Sequence, residues 1–421
     1  MTKSERIPSP RRTLIKLFVA ATALSVGLFG CGGSDHHSPE SRYYASWTGS
    51  MLDATQARAS ATPPVAAVFN NQTVRHVLRL SLGGDTFRIK VSNLFGKTPL
   101  TFSGVHVAKS TGGATIDVSS NVAVTFSNQP TATLAPGAEL LSDPIKLSVT
   151  PLSNVAVTMY FAAATEVATV HALGRQTTYI GAGNQLSAAT IPAAAADQRQ
   201  SYYGLTAVEA SSTDKTNVVV TFGDSITDGF NSTVDAAKRY PNQLDDRLKA
   251  AGFNRTSVVN AGISGNRWIN DITGPNGNSR FDRDVLNVAG VTHTIILLGV
   301  NDIRNSFRFP TEAVTTDQLI TSMAAAVSKA KAKGVKVLVG TILPCKGEAF
   351  CPASVDAQRQ IINAWIRNNR DADGVVDFDR VMQNPDDPAA MNPTYDSGDH
   401  LHPNDVGYGA MAAAIDLARL Q

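Results

Sequence analysis

Two regimes of apolar patterning divide the chain. From about residue 41 to residue 200, apolar and polar positions alternate. Val74, His76, Leu78 and Leu80 fall on one face, and Phe87, Ile89 and Val91 alternate with Arg88 and Lys90. The period of two recurs at Val122, Val124 and Phe126 and again at Val155, Val157 and Met159. Gly83-Gly84-Asp85, Gly112-Gly113 and Ala135-Pro136-Gly137 punctuate these runs with turn chemistry. Short strands at this spacing, with little helical periodicity among them, predict an antiparallel β-sandwich. His76, His106 and His171 lie in or beside these strands, where a histidine is more often structural than catalytic. Residues 183–197, rich in alanine and small polar side chains, read as an irregular connection.

Beyond residue 210 the period changes. Residues 218–222 form a short β-branched run, and residues 241–250 have helical spacing with Pro241 at a tolerated first position. Further strands are expected at 257–260, 293–298, 335–339 and 375–378. Helices are expected at 316–333, closed by Gly334, at 357–370, and at 406–420, capped by Asn404 or Asp405. Strands alternating with helices predict an α/β domain: a five-stranded parallel sheet in three αβα layers. The expected organisation is therefore a leader over 1–40, an all-β sandwich over 41–210 and an α/β domain over 211–421. Ligands of such sheets bind beyond the C-terminal ends of the strands.

Composition narrows the class. At 421 residues, 43% hydrophobic and 17% charged, the chain is globular and long enough for two cores. A net charge of +2 offers no basis for nucleic-acid binding. The first forty residues read as a targeting segment: Arg11-Arg12 precede an apolar stretch from Leu17 to Phe29, ending at Leu28-Phe29-Gly30-Cys31. That ending looks like a bacterial lipobox, in which Cys31 becomes the lipidated N-terminus of an exported, envelope-anchored protein, and Arg11-Arg12 also resembles a twin-arginine signal. A plain signal peptide with an incidental Cys31 is the alternative. Gly32 to Pro39, including His36-His37, then reads as a tether. Cys345 and Cys351 remain, with no histidine within forty residues of either, so a disulfide is the better reading than a metal site. Closing so short a loop is worth about 2 kcal/mol in the chain-entropy picture.

Candidate chemistry gathers at the predicted strand ends. Ser225, in Gly223-Asp224-Ser225, follows the first parallel strand at a strand-to-helix turn, a placement that suits a nucleophile. Near the C-terminus, Asp399-His400-Leu401-His402-Pro403 supplies a base. Asp399 and His402 are three residues apart, so the carboxylate can hold Nδ1–H of His402 and leave Nε2 free for a serine. A structural Asp–His pair is the competing reading of that spacing. Asn260 to Gly265 and Gly299-Val300-Asn301-Asp302 follow the next two strands and offer glycine N–H groups and an uncharged side-chain amide, the donors an oxyanion needs. Arg267, Trp268 and the loop to Gly277 are the candidate substrate wall, with a core position for Trp268 the alternative. Asp224 and Asp302 are expected to brace loops, and Asp228 to cap a helix.

Taken together, these four stretches resemble the GDSL or SGNH hydrolase superfamily over about residues 215–421. Gly223-Asp224-Ser225, Gly265, Gly299-x-Asn301-Asp302 and Asp399-x-x-His402-Pro403 match its blocks in order. Gly265-Asn266-Arg267, the run from Arg280 to Asp284, and Ser397 to Pro403 look like the secreted arylesterase and acylhydrolase subfamily, many members of which carry an N-terminal β-domain. The G-x-S-x-G elbow of the α/β-hydrolases is absent. The resemblance implies a flavodoxin-like sheet, with Ser225 as nucleophile, His402 as base and Asp399 as its orienter. It implies an oxyanion hole of Ser225, Gly265 and Asn301, and no metal or organic cofactor. The expected activity is serine esterase or acylhydrolase on carboxylic esters, either acyl groups of a polysaccharide or small aryl and alkyl esters. Two alternatives are a surface glycan-binding lipoprotein with a secondary hydrolase domain and a lipase or phospholipase.

Overall fold

Val218, Val219, Val220 and Phe222 are all fully buried, as a strand covered on both faces must be. They form the heart of β1 (Asn217–Gly223). In the computed structural model, which describes residues 41–55, 66–192, 194, 197–271 and 273–421, β1 lies second in a parallel sheet. The other strands are β2 (Thr256–Gly262), β3 (Val291–Leu297), β4 (Lys336–Gly340) and β5 (Gly374–Val376), in the order 2-1-3-4-5. Residues 1–40, with Cys31 and His36-His37, lie outside the described residues. Gly223 stands opposite Gly262 on one side and Leu297 on the other, so three strands end level with one another. In this order the strand sequence reverses at β1, which opens a crevice at the C-terminal ends.

Eight α-helices follow in the described α/β domain: α1 (Ser225–Asp228), α2 (Tyr240–Ala250), α3 (Gly277–Phe281), α4 (Val300–Arg308), α5 (Thr316–Ala332), α6 (Ala353–Asn368), α7 (Phe378–Met382) and α8 (Asp405–Ala413). α2 packs on α8, whereas α5 packs on α6 and on α3, giving the three αβα layers. Local signals set the ends. Thr315 Oγ1 accepts from Gln318 N at 3.2 Å while Gln318 Oε1 accepts from Thr315 N at 2.8 Å, a reciprocal cap that starts α5. Asn404 caps α8 by accepting from Val406 N and Gly407 N. The expected helix over 406–420 stops at Ala413, because Asp416 caps a separate turn, Leu417–Leu420. The expected strand over 375–378 stops at Val376, where Asp377 turns the chain into α7 by accepting from Arg380 N.

The first half is all-β. One antiparallel sheet runs Arg42–Thr48, Leu205–Ser212, Gly84–Ser92, Glu139–Leu141, with Ile145–Val149 also paired to Gly84–Ser92. The other is built on Thr178–Ala182, Gln72–Arg79, Asn154–Phe161 and Gly104–Gly112. Leu78, Ile89, Val91, Val157 and Phe161 fill the core between them. Gln72–Arg79 is buried on both faces, unlike a half-solvated strand. Arg75, fully buried, donates to Thr158 Oγ1 at 3.0 Å, Ala114 O at 2.6 Å and Ala188 O at 2.9 Å. Residues 183–192 thus cover this face through Arg75, whose guanidinium burial lowers to about 10.

The two halves meet along β2. Thr48 Oγ1 donates to Asn260 O at 2.9 Å, Val258 N donates to Ser81 Oγ at 2.9 Å, and Ser257 Oγ donates to Ala45 O at 2.6 Å. Ala45 itself packs in the apolar cluster of the α/β domain, although its strand belongs to the sandwich.

Candidate active site

Ser225 is the first residue of α1, directly after β1. The turn is held by Asp224, which accepts from Ile226 N at 3.0 Å. Burial pushes this carboxyl up to about 7. Being first in its helix, Ser225 has an N–H with no intrahelical acceptor. Arg280, fully buried, ties the surrounding loops together: it donates to Gly223 O at 2.7 Å, Ala261 O at 2.8 Å and Asn266 Oδ1 at 2.9 Å. Its guanidinium also lies 4.0 Å from the centre of the Phe222 ring.

The loop before α8 meets the serine from the other side. His402 Nε2 lies 2.8 Å from Ser225 Oγ, and His402 Nδ1 lies 2.6 Å from Asp399 Oδ2. Asp399 Oδ1 also accepts from Leu401 N at 3.0 Å and His402 N at 2.8 Å, so carboxylate and imidazole are held by one turn of chain. Asn231 Nδ2 donates to Asp399 Oδ2 at 2.9 Å. Partial burial works against a charge on Asp399, but the His402 side chain and these N–H groups outweigh it and hold the carboxyl well below its usual range. The Phe230 ring packs 4.7 Å from the imidazole. His400 takes a different course: its backbone is left-handed, with φ +61°, and its Nδ1 pairs with Asp396 at 2.7 Å.

Gly265 and Asn301 face the same space. Gly265 sits on the loop after β2 with φ +78°, and its N–H has no protein acceptor among the described residues. Asn301, in the first turn of α4, donates one amide hydrogen to Asn266 O at 3.1 Å and accepts from Arg304 NH1 at 3.0 Å. That acceptance fixes which end of the amide is nitrogen and leaves its second N–H free. Arg304 is in turn gripped by Glu348, through Nε at 3.0 Å and NH2 at 2.6 Å. Glu348 lies within the loop that a Cys345–Cys351 disulfide closes.

These groups line one cavity of about 260 Å³, shared by Ser225, His402, Gly265, Asn301 and Arg304 with Phe230, Ile263 and Leu401. Leu52, His171, Ala172 and Leu173, from the β-sandwich, complete its wall. Of the two readings of Trp268 the core one holds, and the expectations for Arg267 and Asp228 are corrected. Trp268 is fully buried, donates from Nε1 to Leu298 O at 3.0 Å and is core, while Arg267 is buried against Glu312 at 2.8 Å. From that loop it is Thr273 that reaches the cavity. Asp228 is the last residue of α1, not its cap; it accepts from Ser264 N at 3.2 Å and Ser264 Oγ at 2.7 Å and pairs with His171 at 3.1 Å. Asp302 does brace a loop, accepting from Trp268 N at 2.9 Å, and burial pushes it up to about 7. Arg304 was findable as the residue one helical turn after Asn301. His171, Leu52 and Leu173 carry no local signal at all.

The 2-1-3-4-5 parallel sheet between helix layers brings Ser225, His402 and Asp399 together beyond the C-terminal ends of its strands. Residues 221–410 match the GDSL-like lipase/acylhydrolase family, a match that supports a carboxylic ester hydrolase. Comparison with curated proteins finds no match. Among solved structures, the chain is similar to a GDSL-like lipase from Bacteroides thetaiotaomicron, at 24% identity over 49% of this chain and 88% of the other, with a TM-score of 0.36. It is also similar to a variant of an acetyl xylan esterase from Geobacillus stearothermophilus, at 19% identity over 49% and 97% of the two chains, with a TM-score of 0.37. A third is a member of the lipolytic G-D-S-L family from Veillonella parvula, at 18% identity over 47% and 96%, with a TM-score of 0.34.

Proposed function

We propose that the protein is a serine esterase that cleaves short carboxylic esters through an acyl-serine intermediate. The observation that carries this reading is the unbroken chain from Ser225 Oγ to His402 Nε2 at 2.8 Å and from His402 Nδ1 to Asp399 at 2.6 Å, opening on the cavity. His402 takes the hydroxyl proton as Ser225 attacks the ester carbonyl, and Asp399 holds Nδ1–H so that Nε2 is the basic nitrogen. The oxyanion that forms is met by the N–H groups of Ser225 and Gly265 and the free amide N–H of Asn301; one such donor is worth on the order of 10²–10³ in rate. His402 then gives its proton to the departing alkoxide, and the acyl-serine is hydrolysed by water that His402 deprotonates.

A cavity of about 260 Å³ falls below the roughly 300–1,000 Å³ of sites that hold drug-sized ligands. Leu52, Leu173 and Ile263 line it, and its small volume favours short acyl groups, carried by a polysaccharide or by a small aryl or alkyl alcohol. The test is a chain-length series of p-nitrophenyl esters beside acetylated xylan. Turnover should be greatest for acetate and butyrate and vanish in Ser225→Ala while the melting temperature is kept. Turnover greatest on long acyl chains would instead favour a lipase, and full activity in Ser225→Ala would remove the nucleophile assignment.

The same reading places the enzyme in the bacterial envelope, exported and anchored through a lipid on Cys31. The lipobox-like run ending at Gly30-Cys31 supports this, as does an oxidised Cys345–Cys351 pair. Expressed in a bacterial host, the full chain should incorporate labelled palmitate and fractionate with membranes, whereas Cys31→Ala should do neither.

A further inference from the structure

We propose that the β-sandwich completes the esterase site, with His171 acting as a positioning residue for the Gly265 N–H through Asp228 and Ser264. The proposal rests on the esterase reading above. His171 ends the short strand Thr169–His171, which pairs with Leu52–Asp53 on one side and Tyr202–Tyr203 on the other. The residue is only 5% exposed, and its imidazole reaches across to α1. Nδ1 lies 2.8 Å from Ser50 O, and Nε2 lies 3.1 Å from Asp228 Oδ1.

Both neighbours of the ring are acceptors. A backbone carbonyl has no proton to give, and neither has an ionised carboxylate. The ring can satisfy both only by carrying a proton on each nitrogen, which makes it an imidazolium paired with Asp228. Among the other groups around the ring, the Tyr202 ring stacks on it at 5.8 Å and Arg239 opposes its charge. Burial alone would strip the proton, but the Asp228 carboxylate and the Ser50 carbonyl together outweigh burial and raise the imidazole above its ordinary range.

Asp228 has its other oxygen engaged. Oδ2 accepts from both Ser264 N at 3.2 Å and Ser264 Oγ at 2.7 Å. The next residue is Gly265, which lines the cavity with a left-handed backbone and whose N–H has no protein acceptor among the described residues. His171 fixes the Asp228 side chain, Asp228 fixes Ser264, and Ser264 fixes where the Gly265 donor points. A donor displaced by about 1 Å can cost on the order of 10² in rate. Leu52, on the strand paired with that of His171, and Ala172 and Leu173, which follow His171, wall the same cavity, so the sandwich touches the site at more than one point.

Two variants test this. His171→Phe keeps a flat ring beside Tyr202 and removes both donors; His171→Gln keeps one donor for Asp228. On p-nitrophenyl acetate, His171→Phe should lower kcat by about 10- to 100-fold with KM changed less than about threefold. Affinity for an arylboronic acid, whose tetrahedral adduct uses the same donors, should fall in parallel, and His171→Gln should recover part of both. Hydrogen–deuterium exchange at the Ser264 and Gly265 amides should quicken in His171→Phe. Exchange reads the loop without turnover, so it decides the proposal even if no ester is hydrolysed, and it applies to His171→Gln should the phenylalanine variant not fold. Unchanged exchange at these amides in the folded variants, or kcat within twofold of the parent in both, would overturn the positioning role and leave His171 as a structural tie alone.

Discussion

Gly265 holds its donor in place with a backbone that few side chains tolerate. At φ +78°, an added Cβ would also lie 2.9 Å from Thr273 Oγ1. Gly265→Ala should therefore cost about 1–2 kcal/mol of stability, by urea titration, and on the order of 10²-fold in kcat through the misplaced N–H. The two neighbouring histidines should separate cleanly. His402→Ala should be folded and inactive, whereas His400→Ala, which loses only a half-exposed pair with Asp396, should keep substantial activity. At this scale the sequence was legible wherever partners are close along the chain. Asp399 and His402 are three apart, and Asp224 caps its own turn. His171 escaped because 57 residues separate it from Asp228, and nothing in a strand of alternating pattern says what lies across a domain seam. Trp268 was ambiguous for a related reason: an aromatic beside an arginine suits a sugar platform and a buried indole equally, and burial decides it.

Among the elements, the loop closed by Cys345–Cys351 has the most to say about the site. It presents Glu348 to Arg304, and Arg304 orients the Asn301 amide. Glu348→Gln keeps the shape and removes the charge of the bidentate pair. It should lower kcat by about 10-fold with KM nearly unchanged, measured on p-nitrophenyl acetate, because the amide donor matters only once the oxyanion forms. β2 and α1 are pressed together at Gly262, where an added Cβ would lie 2.3 Å from Asp228 N and 2.7 Å from Asp228 Cα. Both are backbone atoms, so Gly262→Ala must move α1, and with it Ser225; a loss of about 1–3 kcal/mol and of most activity is expected. Long amphipathic elements such as α5 were readable within a residue or two. α7 and the hairpin Gln383–Asn384 with Asp387–Met391 were not, since a five-residue helix and a short ribbon leave no periodicity to detect.

For the molecule as a whole, the buried His171–Asp228 pair makes stability depend on pH. The folded imidazole is raised above its unfolded value, so the stabilisation is fully present below the ordinary histidine range, near pH 6.5, and is lost as pH rises through the folded value. The melting temperature of the parent should fall on the alkaline side, and that of His171→Gln should fall less. The two-part architecture was visible in the change of apolar period near residue 210; the seam was not, because the hydroxyls of Thr48, Ser81 and Ser257 look in sequence like any strand's polar face. Their arrangement has a consequence for anyone cutting the chain. β2 is an edge of the parallel sheet, and its outward Val258 N–H and Asn260 C=O are occupied by Ser81 and Thr48. An excised hydrolase domain would bare that ribbon of hydrogen-bonding groups, and copies of it would recruit one another edge to edge. In the full chain the sandwich covers this edge.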